Sequence, residues 1–361
     1  MVMMQASKAS RCWFDSRCFW PARADIGASS PLLGGNPSGG CWFNSYLVPG
    51  APRAAARFFF SLYMTAALLF APTLLAVAFV TVYERKLLGA LQRRVGPNTV
   101  GPFGLLQAFA DALKLSVKEI LVPSLRSRAS LYLVPVWFLL IAVLGFALLP
   151  GFGGSAVLDA AGGIPLLRTW LSGRIYGTVY GGKGSANYFG TVGAVRAAAQ
   201  RVSYELSFGS AVLAVACLGG SFSLPEISAS QGPIAWALPL LPLLVSFLVS
   251  MLAELNRTPF DLPEGESELV AGYITEFSSV PFVLYFLGEY ASLLLLSLLA
   301  GVLWAGGVLL PLAGLAGVTF VVGIRGTLPR LRYDQLVAFG WLHLLPLSSV
   351  ALLPVFLAAL L

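Results

Sequence analysis

The sequence predicts an all-α membrane protein with eight transmembrane helices and an amphipathic helix at the membrane surface after the first of them. The chain has 361 residues, of which 57% are hydrophobic and only 11% are charged, whereas soluble proteins carry about 25% charged residues. Apolar runs of about 20 residues, the length that a helix needs to cross a bilayer, recur along most of the sequence. An outer-membrane barrel would instead show short strands of alternating polarity.

Residues 1–57 differ from the rest of the chain. They are rich in Ser, Gly and Pro and hold five arginines against two aspartates, a balance typical of an organellar targeting segment. A disordered extension, or a start codon assigned too early with Met64 nearer the true beginning, would explain the same composition. We therefore expect an N-terminal extension at residues 1–57 and a membrane domain at residues 58–361.

The polar stretch after the first span, residues 84–130, contains a second kind of helix signal. Within "FGLLQAFADALKLSVKEIL" the apolar side chains recur at helical spacing, and charged side chains are interleaved between them. Such a pattern indicates an amphipathic helix lying at the membrane surface. The apolar face consists of Leu105, Leu106, Phe109, Leu113, Val117 and Ile120.

The number of spans follows from hydropathy together with charge placement. The loop at residues 85–128 has eight basic residues against Asp111 and Glu119, and the loop with Arg325, Arg330 and Arg332 is also basic, so both should face the same side of the membrane. Two such loops are separated by an even number of crossings, yet only five clear spans lie between them. A further crossing is therefore expected in the Gly-rich, ambiguous region, near residues 164–180. The clear spans are predicted at residues 58–83, 131–150, 188–218, 234–255, 270–296, 298–324 and 336–361.

Several charges fall inside these predicted spans. Arg196 and Arg201 are followed by Glu205, and the four-residue spacing of Arg201 and Glu205 would let them neutralise each other on one helix face. Glu254 ends the fifth span, and Glu276 and Glu289 fall within the sixth. An ionised carboxylate at the bilayer centre costs at least about 2.5–3.5 kcal/mol, so such groups usually face a bundle interior or a wet cavity. Simple helix packing remains possible, but charge transport is favoured.

The stretch "AELNRTPFDLPEGESELV" at residues 253–270 gathers five acidic side chains between two apolar runs. A calcium site and a solvated turn are competing interpretations, although residues 261–268 lack EF-hand spacing. The five acids are Glu254, Asp261, Glu264, Glu266 and Glu268.

The remaining motifs exclude several classes of protein. The four cysteines form no CxxC pair and His343 is the only histidine, so the chain has no Cys/His metal site and no pair of histidines for haem. No phosphate-binding loop or GxSxG elbow is present. The net charge of +7 lies in loops, which favours membrane orientation over nucleic-acid binding. We expect no catalytic residues, no metal and no bound cofactor in this chain.

Four stretches closely resemble subunit 1 of respiratory NADH:ubiquinone oxidoreductase, or complex I. They are "ERKLLGALQRRVGPNTVGPFGLLQAFADALKLSVKE", "GAVRAAAQRVSYE", "AELNRTPFDLPEGESELVAGYITEF" and "RGTLPRLRYDQL", at residues 84–119, 193–205, 253–277 and 325–336. The resemblance begins near Met64 and implies an eight-helix subunit without a cofactor of its own. Such a subunit lines much of the tunnel through which ubiquinone reaches an iron–sulfur cluster of the peripheral arm, while NADH, FMN and the clusters belong to partner subunits.

The resemblance also implies roles for individual residues. Glu205, Glu254 and Glu289 would continue an acidic path toward the antiporter-like subunits, with Arg196 and Arg201 as charge partners. Phe277 departs from the family, which commonly has Tyr there, and Arg168 and Arg174 stand where apolar residues are usual. The residues expected to line or border the quinone cavity are Arg85, Asp111, Lys114, Asp261, Glu264, Glu266, Glu268 and Glu276.

Two other functions share parts of this pattern. A homologous subunit of a membrane-bound hydrogenase would have similar loops, and an ion antiporter would also need buried carboxylates. The expected partners are the quinone-module iron–sulfur subunits, small membrane-arm subunits, ubiquinone and the lipid bilayer, with no nucleic acid. The expected location is the mitochondrial inner membrane, with a bacterial plasma membrane as the alternative.

Overall fold

The computed structural model describes residues 51–120, 122, 128–151, 154–185, 187–231, 236–263, 265, 272–306 and 310–360. Within these ranges all regular structure is helical, and the only β-type pairing is one isolated bridge between Pro150 and Ala156. Residues 55–361 form one compact unit. Most of the predicted N-terminal extension lies outside the described residues, so the division at residue 57 stays a prediction.

The helices are numbered here in chain order. Short 3₁₀ turns occur at Pro102–Gly104 and Gly272–Ile274, and a π-helical turn at Gly340–Leu344 joins the last two helices. The α-helices are α1 (Ala51–Leu91), α2 (Gln107–Val117), α3 (Arg128–Phe146), α4 (Gly163–Gly184), α5 (Tyr188–Gly219), α6 (Leu224–Ser230), α7 (Leu241–Glu254), α8 (Ser279–Trp304), α9 (Leu310–Thr327), α10 (Tyr333–Phe339) and α11 (Leu345–Leu360).

Four helical segments among the described residues are long and apolar enough to cross a membrane. They are α5, α8, α9 and the continuous segment Tyr333–Leu357, and two shorter apolar helices lie at Ser130–Phe146 and Leu241–Glu254. The all-helical class is thereby confirmed, while the count of eight spans stays a prediction. A helix, α4, does occupy the region where charge placement required a further crossing.

The predicted limits of the sixth and seventh spans are wrong. α8 begins at Ser279 and continues to Trp304, so Glu276 precedes the helix and the break lies near Gly306 instead of residue 297. Residues 298–304 are apolar and continue the helix, so hydropathy alone contained no signal for its end. Gly306 adopts φ +79°, a conformation that favours glycine and ends the helical path.

The helices pack through small side chains where they approach closely. α3 packs between α4 and α8, and α5 packs against α4, α7 and α11. A Cβ atom added to Gly182 of α4 would lie 2.5 Å from the carbonyl oxygen of Gly190 in α5, so this crossing requires glycine. The core around these helices contains mostly apolar side chains, together with the buried charges described below.

The segments that carry most of the charge meet at one end of the bundle. The amide of Leu331, after α9, donates to the carbonyl of Pro259, after α7, at 3.1 Å. Ser279 at the start of α8 donates to the carbonyls of Leu115 and Lys118 beside α2, at 2.8 and 2.7 Å. The predicted gathering of the charged loops is therefore present in the structure.

Candidate functional site

An apolar cavity of about 390 Å³ lies between α1, α2 and α8 at the charged end of the bundle. Its rim carries an ion pair in which Arg85 Nη1 lies 2.6 Å from Asp111 Oδ2. Gln107 supports the pair by donating to Asp111 Oδ1 at 3.1 Å. The apolar lining includes Phe109, Leu115, Phe282, Phe286 and Leu287. The cavity thus has the character of a ligand pocket, mostly apolar with a few placed polar groups.

α2 forms one wall of this cavity and confirms the helix predicted after the first span. Phe109 packs edge-to-face on Phe79 of α1, with ring centroids 6.5 Å apart. Leu113 and Val117 on α2 are exposed, as the apolar face of an interfacial helix would be before a membrane covers it. Lys114 is exposed as well and, unlike Arg85 and Asp111, does not line the cavity.

An ion cluster centred on the buried residue Glu84 adjoins the cavity through Tyr290. Glu84 Oε1 accepts hydrogen bonds from Nη1 of Arg257, at 3.2 Å, and from Nη1 of Arg325. The guanidinium of Arg257 also stacks 4.6 Å from the ring centroid of Tyr290, which lines the cavity. Sequence reasoning assigned no role to Glu84 or Arg257, although Glu84 follows directly on an apolar span.

The surroundings of Arg257 in the Glu84 cluster favour its charged form. Burial lowers the pKa of Arg257, but the attraction of Glu84, with smaller contributions from Tyr290 and Glu289, outweighs that effect. The pKa of Arg257 therefore lies above its ordinary value and the guanidinium stays protonated. Arg257 is thus a permanent positive charge beside the apolar pocket.

The acidic loop is described only in part. Asp261 is half-buried, while Glu264, Glu266 and Glu268 lie outside the described residues. A Cβ atom at Gly265 would fall 1.9 Å from Arg330 Nη1, so glycine makes room there for a guanidinium, and Arg330 donates to the carbonyl of Leu262 at 3.4 Å. The described part of the loop therefore packs against a basic side chain from the segment after α9, which hydropathy gave no reason to expect.

Burial raises the pKa of Asp261 above its ordinary value; Arg330 opposes this effect and Glu289 adds to it. One of its carboxylate oxygens, Oδ1, is buried without a hydrogen-bond partner among the residues that the structure describes. Both observations identify Asp261 as a carboxyl group that ionises at a cost in its folded surroundings.

We predict that Asp261→Asn changes the pH dependence of stability. The folded chain holds the Asp261 proton more tightly than the unfolded chain, so the carboxyl stabilises the fold at low pH, and this stabilisation is lost as the pH rises through the raised pKa. The variant lacks the titration, so its thermal midpoint should rise relative to wild type as the pH increases from the ordinary pKa of 3.8. Midpoints of the purified complex over that range test this, and parallel curves would contradict it.

Glu276 lies in the turn before α8, where Asn187 Nδ2 donates to its Oε1 at 3.3 Å. Glu289 lies farther along α8, is nearly buried, and accepts a hydrogen bond from the Tyr273 hydroxyl at 3.0 Å. The turn at residues 272–278 thus carries one of these carboxylates, Glu276, and contacts the other, Glu289, through Tyr273.

The other predicted carboxylates lie between α4, α5 and α7. Arg201 Nε is 3.9 Å from Glu254 Oε1, while Glu205 accepts a hydrogen bond from Ser172 and lies 3.7 Å from Arg168 Nε. The ion pairs therefore join different helices, in place of the predicted pair of Arg201 with Glu205. The reason is that α5 is flanked by both α4 and α7, so successive side chains on one face turn to different neighbours.

The guanidinium of Arg196, the other predicted charge partner, lies 5.9 Å from the ring centroid of Tyr333. Within the described parts of the chain, no group of three or more His, Cys, Asp or Glu side chains is arranged to hold a metal ion.

The fold and these sites define an integral membrane protein in which ionisable groups are enclosed between helices, beside an apolar pocket. Comparison with known proteins narrows this class. Residues 64–356 match the family model described as NADH dehydrogenase, and the chain belongs to this family.

Curated relatives agree with the family model. The chain is 42% identical over 301 residues to NADH-ubiquinone oxidoreductase chain 1 of Mycosarcoma maydis, with 78% of this chain and 91% of the relative covered. It is 42% identical over 299 residues to the H subunit of NADH-quinone oxidoreductase from Rhodospirillum centenum, with 78% and 89% covered. The corresponding protein of Rickettsia canadensis, with the same name, is 42% identical over 295 residues, with 77% and 87% covered.

Proposed function

We propose that this chain is the membrane subunit of a proton-pumping NADH:quinone oxidoreductase that forms much of the quinone-binding tunnel. The observation that carries the proposal is the apolar cavity of about 390 Å³ with the Arg85–Asp111 ion pair at its rim. A quinone has an apolar tail and a polar head, so it suits a pocket with apolar walls and a charged mouth. α2 would lie at the membrane surface and admit the substrate from the bilayer.

The charged groups near the cavity would respond to the reduction of quinone. Two-electron reduction creates negative charge that must be neutralised by two protons, and in a low dielectric this charge acts strongly on nearby ionisable groups. The raised pKa of Asp261 brings its titration closer to neutral pH. This carboxyl group is therefore suited to donate or sense protons. Glu264, Glu266, Glu268 and Glu276 belong to the same proposed set, and Lys114 stays in it as a residue near the entrance.

The proposed acidic path begins beyond this region. Glu289, held by Tyr273, would be followed by Glu254 and Glu205 between α4, α5 and α7. A change in the charge of one group alters the proton affinity of the next, which is a coupling free energy between sites. Quinone reduction at one end would in this way favour proton movement at the other.

The relatives' names also supply the proposed setting. Subunits named for NADH–quinone oxidoreductase imply other subunits of the same complex. We propose that these partners hold NADH, FMN and the iron–sulfur clusters and include small membrane-arm subunits. We place the chain as a multi-pass protein of the mitochondrial inner membrane, or of a bacterial plasma membrane, with residues 58–361 as the membrane domain and residues 1–57 as a targeting segment or extension.

Photolabelling tests the proposed tunnel. A photoreactive quinone analogue, irradiated with the assembled complex, is expected to label residues 85–114 or 261–276 of this chain. The first segment contributes Arg85, Phe109 and Asp111 to the cavity lining, and the second contains the acidic residues of the proposed quinone site. Peptide mass spectrometry locates the label, and an excess of ordinary quinone should suppress it. Labelling confined to the neighbouring subunits would refute the assignment.

A further inference from the structure

The carboxylates between the helices are matched by arginines from other helices, of which Arg201 is buried and Arg168 is partly exposed. Arg168 of α4 donates through Nη2 to the carbonyl of Glu205 at 2.9 Å and places its Nε 3.7 Å from the Glu205 carboxylate. Arg201 of α5 lies 3.9 Å from Glu254 of α7. Neither contact follows from helical spacing in the sequence, because each joins two different helices.

The backbone of α5 is shaped to admit the first of these arginines. A Cβ atom at Gly209 would fall 1.7 Å from Arg168 Nη1 and 2.4 Å from its Cζ. Any other residue at position 209 would therefore push the guanidinium away from Glu205. Glycine at position 209 makes the helix less stable than alanine would. The space that the Arg168 guanidinium needs is a physical reason for a glycine at this position.

Arg174 is the third basic group and is fully buried, at 0% exposure. Its guanidinium stacks on the ring of Phe138 from α3, with 4.7 Å between Cζ and the ring centroid, and its Nε and Nη1 make no hydrogen bond to any part of the chain that the structure describes. The ionisable groups within electrostatic range of it come from several neighbouring elements: Arg201 on α5, Glu254 on α7, Glu289 on α8 and Tyr273 on the 3₁₀ turn.

Water has little room in the space enclosed between these groups. The cavity bounded by Arg168, Ser172, Glu205 and Glu254 has a volume of about 10 Å³, which holds about one water molecule. An isolated ion in such a place is very costly, and only an opposite charge nearby offsets the cost.

We infer that Arg168 and Arg201 are positioning residues that serve as fixed counter-charges to Glu205 and Glu254. Arg174, buried nearby, adds a third positive charge that acts on Glu254 and Glu289, and the three arginines together favour the ionised carboxylates in the resting protein. The inference rests on the proposed function, because it assigns these arginines to the proposed proton path. A proton that reaches one of these carboxylates then leaves a guanidinium without its partner charge.

Arg174→Met in the assembled complex tests the inference, because Met keeps much of the side-chain volume and removes the charge. Infrared spectroscopy of the complex without quinone is expected to show an added carbonyl band of a protonated carboxylic acid at neutral pH. The acid limb of quinone reductase activity should move to higher pH by about one unit, the size expected for loss of an opposite charge at short range. Arg174→Lys should restore both.

The control and a second variant keep the test decisive. Arg332→Met removes an exposed arginine, whose side chain is 79% accessible and paired with Asp334, and should change neither readout. Gly209→Ala displaces only the flexible end of Arg168 and should produce the same infrared band through Glu205, so it decides the matter if Arg174→Met fails to assemble. Variants of Arg174 and Gly209 with wild-type spectra and pH profile would overturn the inference.

The infrared measurement needs no quinone. Failed photolabelling would therefore refute the quinone tunnel without deciding the role of the arginines, whereas wild-type infrared bands would refute the counter-charges and leave the tunnel intact.

Discussion

Ala112→Trp is expected to lower the kcat/KM of quinone reduction at least about tenfold while the complex still assembles. Ala112 lies on the exposed surface of α2 and lines the cavity of about 390 Å³. An indole ring there would occupy much of the space that the quinone needs, and loss of a bound pose removes binding energy directly, at 1.4 kcal/mol for each factor of ten. The measurement is steady-state reduction of a quinone analogue by NADH.

The neighbouring residue offers a matched control. Leu113 is on the same helix, is 67% exposed and does not line the cavity. Leu113→Trp should therefore leave kcat/KM within about twofold of wild type, well below the 1.4 kcal/mol of a tenfold effect. Electron transfer from NADH to an artificial acceptor in the peripheral arm should be unchanged in both variants. Equal losses in the two would show that the cavity is not the quinone site.

Glu84→Gln should destabilise the folded chain by about 3–5 kcal/mol, the usual cost of removing one partner of a buried ion pair. Glu84 is 2% exposed and accepts from both Arg257 and Arg325. The amide keeps the shape but removes the charge, so two guanidinium groups remain beside each other without this carboxylate. The thermal midpoint of the purified complex and its yield on a native gel measure the effect.

An exposed acidic residue at the same end of the bundle gives the comparison. Asp334 is paired with Arg332 at 3.3 Å, but its side chain is 71% accessible, and exposed pairs contribute less than about 1 kcal/mol. Asp334→Asn should therefore leave the midpoint nearly unchanged. A Glu84→Gln complex as stable as that of Asp334→Asn would show that the buried cluster contributes little.

Local patterns in the sequence predict the helices well. The helical spacing of apolar residues around Phe109 predicts α2, and the parity of the basic loops requires a helix where α4 is found, although hydropathy is weak there. Both signals arise from properties of consecutive residues or whole loops. The helix break near Gly306 was missed because the chain stays apolar through the end of α8.

The contacts within the candidate site were harder to predict from the sequence. Arg85 and Asp111 were both assigned to the cavity, but their direct pairing depends on how α1 meets α2. Likewise, the partner of Arg201 is chosen by the packing of α7 on α5, which no local spacing encodes. Arg168 was noticed only as an unusual residue, because its partner Glu205 lies 37 positions away.

Gln200, the residue before Arg201, ties α5 to the acidic loop. Its fully buried side-chain amide nitrogen donates to the carbonyls of Ala253 and Phe260, each at 2.9 Å. One side-chain amide thus binds both the end of α7 and the start of the loop that follows. A displacement of that loop would have to break these two hydrogen bonds or move the neighbouring turn of α5, which carries Arg201. The start of the acidic loop and Arg201 are therefore mechanically coupled.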